Sequence, residues 1–310
     1  MKILITGGLG HIGSYFLRNF KIKNKKITFY IVDNLISQRY CSLFDLPKRN
    51  NYKFINQDIS TYNYEKLPKA NIVIHLAAKT DAAQSNKHEK EFSKNFNVTK
   101  NIIKYCLLNK SKLIFASTTS VYGPQSKLVD ENCLNKDLNP QSPYAKIKLK
   151  EENYISKKMK VNTYVIVRFG TVFGYGEGIR FHTAVNKFCY QASIGIPLTV
   201  WETALNQFRP YLTLRDLNLS ISHIVKEKNF DNQIYNILSF NLTVFDIIKE
   251  IKKTYSNLNI NYVKHPIMNQ MSYKVLNTKF LNKYSKIKYE KNPSSGINQI
   301  LNKLNSFKDN

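Results

Sequence analysis

Cysteine is scarce in this sequence, and its spacing limits what the chain can do. The 310 residues include only Cys41, Cys106, Cys133 and Cys189, which lie far apart and form no C-x-x-C pair. Because zinc sites need closely spaced Cys or His ligands, no metal site is predicted and reduced thiols are expected. The sequence also lacks an apolar run of membrane-spanning length, and no leader precedes the strand-like KILIT. A cytoplasmic protein without a membrane partner is therefore predicted.

Acidic residues are few as well. Asp and Glu number 21 against 47 Lys and Arg, which gives a formal net charge of +26. Such a protein could bind the phosphates of nucleic acid if its cations formed one stripe or patch. The lysines are instead spread from end to end, and no nucleic-acid-binding motif accompanies them. We therefore predict no nucleic-acid partner.

Short apolar segments alternate with helix-like segments over the first half of the chain. The strand-like segments are KILIT, ITFYIVDN, YKFINQDI, ANIVIHLAA, KLIFASTTSVYG and NTYVIVRFG. Strands that alternate with helices predict right-handed crossovers and a doubly wound, mostly parallel α/β sheet. After Gly170 the pattern is less regular, and IPLTVW, RPYLTLRDL and QIYNIL are candidate strands.

The change in pattern predicts two parts without a clean linker. We expect a first domain at 1–170, to which 211–240 returns, and a smaller C-terminal α/β lobe at 171–210 and 241–310. The Lys- and Asn-rich tail after Tyr284 is predicted to be a solvated helix end.

A glycine-rich turn joins the first strand to the first helix. TGGLGHIG places Gly7, Gly10 and Gly13 directly after KILIT and at the start of an amphipathic segment. Glycines in this context let the backbone turn tightly and approach a pyrophosphate, whose charge faces the helix N-terminus. A tight strand-to-helix turn without a ligand is the alternative.

Carboxylates follow the second and third strands. Asp33 ends the second strand about twenty residues after the glycine turn, where it can accept hydrogen bonds from the adenosine ribose. Since a carboxylate there repels a 2′-phosphate, NAD is favoured over NADP. A turn-forming aspartate beside Asn34 is the alternative. Asp58 either forms a turn or contacts the adenine.

The ordered motifs resemble those of one known family. TGGLGHIG, DN after the second strand, IHLAA, STTSVYG and PYAKIK are similar to the landmarks of the extended short-chain dehydrogenase/reductase family, which includes NAD-dependent sugar-nucleotide epimerases and dehydratases. VRFGTVFG, QFRPYLTLRDL and IYNILSFNLTV extend the resemblance over nearly the whole chain. The resemblance implies a Rossmann domain that binds NAD, a lobe that binds a nucleoside-diphosphate sugar, and a homodimer formed through two helices per subunit. The implied cofactor contacts are Gly7, Gly10, His11, Ile12, Gly13, Asp33, Asn34, Asp58, Ile59, Leu76, Ala77, Ala78, Asn97, Ser117, Tyr144 and Lys148.

Tyr144 and Lys148 lie four residues apart in SPYAKIKLKEE. A tyrosine with its ordinary pKa of about 10 is a poor base at neutral pH unless positive charge favours the phenolate. One helical turn places Lys148 on the same face as Tyr144, and an oxidised nicotinamide adds positive charge. Tyr144 is expected to take a proton from a sugar hydroxyl, and Lys148 to hold the nicotinamide ribose. An ordinary basic helix is the alternative.

The hydroxyl-rich segment STTSVYG completes the expected catalytic set. The resemblance implies that Thr118 hydrogen-bonds the reacting oxygen and that Ser117 lines the cofactor pocket; a half-buried polar strand is the alternative. Sugar 4,6-dehydratases of the family carry Asp-Glu directly after this hydroxyl, because eliminating water needs a further acid and base. Thr119 and Ser120 hold those places here. Dehydration is therefore disfavoured.

Further residues are expected to bind the substrate. Arg209 falls where the resemblance places an arginine on the diphosphate, unless it forms a surface ion pair with Asp216 or Glu202. Trp201 either stacks on the nucleotide base or fills the smaller lobe. The expected substrate contacts are Thr80, Thr118, Thr119, Thr171, Arg180, Asn186, Trp201 and Arg209.

The sequence departs from the family pattern at the substrate end. Thr171 replaces an asparagine, and Asn269, Gln270 and Met271 stand where a second phosphate-binding arginine is expected. Arg180 and Asn186 are the candidates to compensate, Arg180 through a phosphate and Asn186 through the sugar or a pyrophosphate oxygen.

These features predict an epimerase that oxidises one carbinol, most simply at C4, and returns the hydride to the opposite face. Its product would feed the synthesis of surface glycans. The alternatives are a 4-keto-sugar reductase that consumes external reduced cofactor, and a catalytically silent NAD-binding regulator. Asp33 favours epimerisation modestly, and His75, at the end of an apolar strand, is predicted to be a packed residue and not an acid.

Overall fold

The computed structural model describes residues 1–80, 85–86, 88–264 and 272–307. Its strands are β1 (Lys2–Thr6), β2 (Thr28–Asp33), β3 (Asn51–Asn56), β4 (Ile72–His75), β5 (Lys112–Thr118), β6 (Tyr164–Phe169), β7 (Thr171–Phe173), β8 (Leu198–Trp201), β9 (Arg209–Thr213), β10 (Ile234–Ile237), β11 (Phe240–Leu242) and β12 (Ile260–Val263). Its helices are α1 (His11–Asn19), α2 (Glu89–Asn109), α3 (Pro143–Lys158), α4 (Ala184–Ser193), α5 (Leu214–Glu227), α6 (Val244–Lys252), α7 (Thr278–Lys283) and α8 (Ser294–Asn305).

A seven-stranded sheet in the order β10-β6-β5-β4-β1-β2-β3 forms the larger part of the fold. All its neighbouring strands are parallel. The central strands β4 and β6 are buried along their whole length, because helices cover both faces of the sheet. The predicted doubly wound parallel α/β sheet is therefore confirmed.

The two faces of this sheet have separate cores. On one face, Phe16 of α1 and Leu217 of α5 pack with the strands. On the other, Ile103 of α2 and Ile155 of α3 pack against them. This arrangement directs the carboxyl ends of β1, β2, β4 and β5 towards one edge of the sheet, where the predicted site residues begin.

The smaller part has two short sheets, β11-β9-β7 and β12-β8. Its core includes Val185 of α4, Ile247 of α6 and Leu301 of α8. The chain crosses between the two parts more than once: β9 lies in a small sheet, whereas α5 packs with the larger core and β10 pairs with β6. In the part of the chain that the structure describes, no helix combines the length and the apolar character needed to cross a membrane.

The C-terminal helix corrects one expectation. The tail after Tyr284 was expected to be solvated, but α8 buries Ile297, Ile300 and Leu301 in the smaller core. Their spacing places these three residues on one face of the helix. The many Lys and Asn residues on the other faces give the tail a polar average composition, which hides this amphipathic pattern.

We expect Leu301→Ala to lower the free energy of unfolding by about 2–5 kcal/mol, because it removes a fully buried side chain and leaves a cavity. The exposed neighbour Asn302→Ala is the control, with an expected change within about 0.5 kcal/mol. Denaturant titrations of both variants measure the difference. Equal stabilities would show that α8 is not part of the smaller core.

Candidate active site

The glycine turn forms a cradle at the start of α1. Gly7 has a φ of +66°, and a Cβ added there would lie 2.8 Å from the backbone of Ala77. A Cβ on Gly13 would lie 2.5 Å from the carbonyl oxygen of Gly8. Gly10 precedes the helix and provides no side-chain cap. The first amides of α1 are therefore suited to an anion such as a pyrophosphate.

Asp33 lies beside this cradle and is fixed by it. Its Oδ2 accepts a hydrogen bond of 3.1 Å from the amide of Leu9, and its Oδ1 accepts one of 3.0 Å from Leu35. The neighbouring Asn34 donates to Oδ2 of Asp58 over 3.1 Å. The side chain of Asn34 thus joins the ends of β2 and β3 at one edge of the sheet.

A segment that the sequence patterns did not single out, residues 174–180, lies across the start of α1. Nε2 of His11 donates to the carbonyl of Gly174 over 2.8 Å, and Ser14 Oγ accepts from the amide of Gly178 over 3.0 Å. A Cβ on Gly178 would lie 2.7 Å from the backbone of Gly10. Burial lowers the pKa of His11 to about 4, so its ring is neutral and binds this segment by hydrogen bonding alone.

The predicted catalytic side chains meet at the ends of β5 and α3. Ser142 caps α3 by accepting from the amide of Ala145 over 3.2 Å, and this places Tyr144 in the first turn. The side chain of Thr118, the last residue of β5, lies near the phenol of Tyr144 and lowers its pKa, while the Thr118 hydroxyl donates to Oγ of Ser120 over 3.2 Å. Lys148 follows one turn later and is almost completely buried.

The charges around Tyr144 differ from the expectation. Burial and then the carboxylate of Glu151 raise the pKa of Tyr144, while Arg180 and the hydrogen bond from Thr118 lower it by less. Nζ of Lys148 lies 3.1 Å from Oε2 of Glu151, so its charge is largely neutralised. Arg180 is a further cation that favours the phenolate, and the expected contribution of Lys148 stays a prediction.

Ser117 contributes to a second buried ion pair. Its hydroxyl donates to Glu152, whose Oε2 lies 2.6 Å from Nη2 of Arg168. The guanidinium of Arg168 also lies 5.0 Å from the ring centre of Tyr122. The structure therefore uses the Ser117 hydroxyl to join β5, β6 and α3, and its place in the lining of the cofactor pocket stays a prediction.

Arg209 and Thr119 both contact Tyr273. The Thr119 hydroxyl lies 3.4 Å from the phenol oxygen of Tyr273, and the Arg209 guanidinium lies 5.7 Å from the ring centre. Among the residues that the structure describes, Arg209 forms no ion pair with Asp216 or Glu202. Arg209, the first residue of β9, thus lies near Tyr273, which also contacts Thr119 directly after β5.

Arg180 and Thr80 are also brought together, with a hydrogen bond of 2.7 Å from Nη1 to Oγ1. Asn186 has a different role from the one expected. It is completely buried, its Oδ1 accepts from the amide of Gly174 over 3.2 Å, and its Nδ2 donates to the carbonyl of Arg180 over 3.0 Å. Asn186 therefore shapes residues 174–180 and is not placed as a substrate contact.

The cofactor contact assigned to Asn97 stays a prediction. Asn97 is exposed on α2, whereas Asn95 is buried and exchanges two hydrogen bonds of 3.0 Å with the backbone of Lys79. Asn95 thereby holds the segment that contains Ala77, Ala78 and Thr80. Helical spacing in the sequence could have indicated that Asn95 is buried, because it lies on the same face of α2 as other buried residues.

The remaining assigned residues fall into two groups. Ile12, Ile59 and Leu76 are apolar and pack in or against the two cores of the large sheet. Thr171 lies in β7 and Trp201 ends β8, and both are partly buried. The segment with Asn269, Gln270 and Met271 lies outside the described residues.

Comparison with known proteins identifies the family. The model of the NAD dependent epimerase/dehydratase family matches residues 3–237. The chain belongs to this family.

Relatives within the family include epimerases and dehydratases. The ADP-L-glycero-D-manno-heptose-6-epimerase of Brachyspira hyodysenteriae is 27% identical over 85% of this chain and 84% of its own length. The dTDP-D-glucose 4,6-dehydratase of Dictyostelium discoideum is 31% identical over 81% of this chain and 61% of its own length. The structure of the UDP-glucuronic acid 4-epimerase from Bacillus cereus, solved with UDP-glucuronic acid and NAD, superposes with a TM-score of 0.87 at 25% identity, covering 99% of this chain and 100% of that one.

NAD is the cofactor of this family, and the residues of this chain fit it. A side chain at Gly7 or Gly13 would fill the cradle, the start of α1 has no side-chain cap, and Asp33 lies beside the glycine turn. Glu151, Tyr273 and Gly178 also have clear positions in the site and were not predicted. Of these, Glu151 had a signal in the sequence, because it follows Lys148 at helical spacing.

We expect Gly7→Ala to abolish NADH binding, because its Cβ would meet the backbone of Ala77 in the cradle. Gly195→Ala is the matched control: Gly195 also has a positive φ, +75°, but no atom lies within 4 Å of the added Cβ. The control should lose about 1–2 kcal/mol of stability and keep its cofactor affinity. NADH fluorescence titration measures the cofactor affinity of the two variants. Unchanged binding by Gly7→Ala would contradict the cradle.

Proposed function

We propose that this protein is an NAD-dependent nucleotide-sugar epimerase that acts at C4 and supplies a precursor of surface glycans. The observation that supports this most directly is that the side chains of Tyr144 and Thr118 come together from α3 and β5, with hydroxyl residues at 119 and 120. One acid–base group is enough to oxidise and reduce a single carbinol, and an elimination needs more.

The chain's own residues have distinct roles in this reaction. NAD, when bound, accepts a hydride from the sugar carbon and later returns it. Tyr144 removes the proton from the sugar hydroxyl and gives it back when the opposite face is reduced. Thr118 orients the phenol and the reacting oxygen through its hydroxyl. Arg180 supplies positive charge next to the phenolate as the proton moves.

The raised pKa of Tyr144 sets a condition on this step. With burial and Glu151 both raising it, Tyr144 is a neutral phenol at neutral pH. It can act as a base only when further positive charge lies next to it, as an oxidised nicotinamide would provide. The proposal therefore couples proton removal to the presence of the oxidised cofactor.

Thr119 and Ser120 favour epimerisation over dehydration. The Thr119 hydroxyl donates to the carbonyl of Phe169 over 3.3 Å, and Ser120 accepts a hydrogen bond of 3.2 Å from Thr118. Neither hydroxyl can serve as the extra acid or base that eliminates water. The relatives include both epimerases and dehydratases, so the proposal of an epimerase rests on the residues at 119 and 120.

Arg209 supports a diphosphate-containing substrate. Its guanidinium starts β9 near Tyr273 and Thr119, and a planar guanidinium can hold a phosphate through two parallel hydrogen bonds. We assign the nucleoside diphosphate to this side and the sugar to the space between Arg209 and Tyr144. The proposal also includes a homodimer in the cytoplasm, formed through the adjacent helices α2 and α3.

We expect the purified protein to invert one sugar carbon of a UDP-, GDP-, CDP- or dTDP-sugar, as read by NMR of the product. Tyr144→Phe should lower turnover by at least about a hundredfold, because it removes the general base, while cofactor binding is kept. Tyr154→Phe, later on the same helix, is the control. Net consumption of NADH would indicate a reductase, and bound NAD without turnover across the panel would indicate a silent protein.

We expect Arg209→Lys to raise KM about tenfold with little change in kcat, because a lysine cannot make two parallel hydrogen bonds to the diphosphate. Arg215→Lys is the control, since Arg215 lies outside the site and its ion pair with Asp216 suits either cation. Steady-state kinetics with the substrate found in the panel measure both. An unchanged KM for Arg209→Lys would remove Arg209 from the substrate site.

A further inference from the structure

Glu151 is a buried carboxylate next to the catalytic lysine. Its side chain is fully buried, and its Oε2 lies 3.1 Å from Nζ of Lys148. Within the described chain this oxygen accepts no hydrogen bond of regular geometry, so the contact is an ion pair. Oε1 accepts a hydrogen bond of 2.6 Å from the hydroxyl of Thr99 on α2. Burying two opposite charges is costly unless both are well paired.

A chain of hydrogen bonds leads from Glu151 back into the large sheet. Because Thr99 donates to Glu151, its oxygen accepts from Nε2 of His75 over 3.0 Å. Burial, and then the charge of Lys148, lower the pKa of His75 to about 3, so the ring is neutral. Its Nδ1 consequently accepts from the Thr6 hydroxyl over 2.6 Å. His75 is thus the packed residue predicted from the sequence, with a fixed tautomer.

The chain ends at the cofactor cradle. The oxygen of Thr6 accepts from the amide of Ala77 over 3.2 Å, and Ala77 is the residue whose backbone lies against Gly7. Each hydrogen bond of this series is therefore donated to the next residue in the direction of Glu151. The charged groups of the series are the Glu151 carboxylate and its partner Lys148. The carboxylate is held at a fixed position relative to the cradle.

Two charged groups act on the phenol of Tyr144 from different elements. Glu151 belongs to the same helix, α3, and Arg180 comes from the segment after β7. Lys148 lies on α3 as well, but it is paired with Glu151. Thr118, from β5, contributes a hydrogen bond without charge. Among the described residues, Glu151 is the carboxylate that opposes the phenolate, and removing it would leave the charge of Arg180 without this opposition.

We propose that Glu151 is a positioning residue: its carboxylate, fixed by Thr99, holds the Lys148 ammonium beside the cofactor cradle and offsets its charge next to Tyr144. The role in turnover rests on the proposed function, whereas the effect on Tyr144 is a property of the folded chain. Burial is the larger cause of the raised pKa of Tyr144, and Glu151 adds to it, so the carboxylate sets how much positive charge the phenol needs before it loses its proton. The ion pair with Glu151 fixes the position of the buried Lys148 ammonium.

The test compares Glu151→Gln with Glu152→Gln. Both replace a buried, paired carboxylate on α3 by an amide of the same shape, but Glu152 is paired with Arg168 and does not act on Tyr144. Isotope-labelled tyrosine, with the Tyr144 resonance assigned by its loss in Tyr144→Phe, reports the titration of the phenol by NMR in protein saturated with oxidised NAD, whose positive charge brings the pKa down. We expect Glu151→Gln to shift this titration to lower pH, since a negative charge that opposes the phenolate is removed. Glu152→Gln should leave it in place.

The NMR readout needs no substrate and no turnover, so it stands even if no epimerisation is found. Where turnover is found, the acid limb of its pH profile should move to lower pH in Glu151→Gln, and Glu151→Asp should restore most of the original profile by returning the charge. An unchanged Tyr144 titration in Glu151→Gln would overturn the proposal. Equal shifts in the two glutamine variants would also overturn it, since both would then reflect a general loss of packing.

Discussion

The close approach of two backbones, at Gly7 and at Ala77, is the contact on which the site depends. β1 and β4 are neighbours in the sheet, and the chain leaves their carboxyl ends towards opposite faces. A parallel sheet opens a crevice at such a point, and this is where ligands of doubly wound proteins bind. Only a glycine at position 7 lets the turn after β1 lie against the turn after β4. The cradle, the Thr6 to Ala77 hydrogen bond and the buried chain to Glu151 all start from this contact.

Charge inside the site is balanced in pairs. Lys148 is matched by Glu151 and Arg168 by Glu152, so α3 contributes two adjacent carboxylates to two different cations. Arg180 is the cation whose charge acts directly on Tyr144. A buried site built from matched charges has a small net field, and any added charge, such as that of an oxidised nicotinamide, then has a large effect on the phenol.

Local patterns predicted the parts of the fold and site that depend on neighbouring residues in sequence. The parallel sheet, the glycine turn and the pairing of Tyr144 with Lys148 on one helix follow from strand alternation, turn chemistry and helical spacing. Contacts between distant segments were not predictable in this way. The choice of Asn95 over Asn97 depends on which face of α2 meets the loop after β4, and the role of Asn186 depends on how residues 174–180 fold back. The amphipathic face of α8 was hidden by an average composition rich in Lys and Asn.

The segment 174–180 crosses the mouth of the cradle and is fastened there by His11 and Ser14. These two hydrogen bonds join residues that are 163 and 164 positions apart in the sequence. The conformation of the glycine turn therefore depends on a segment from the other half of the chain. A side chain at Gly178 would displace the start of α1, because its Cβ would lie 2.7 Å from the backbone of Gly10.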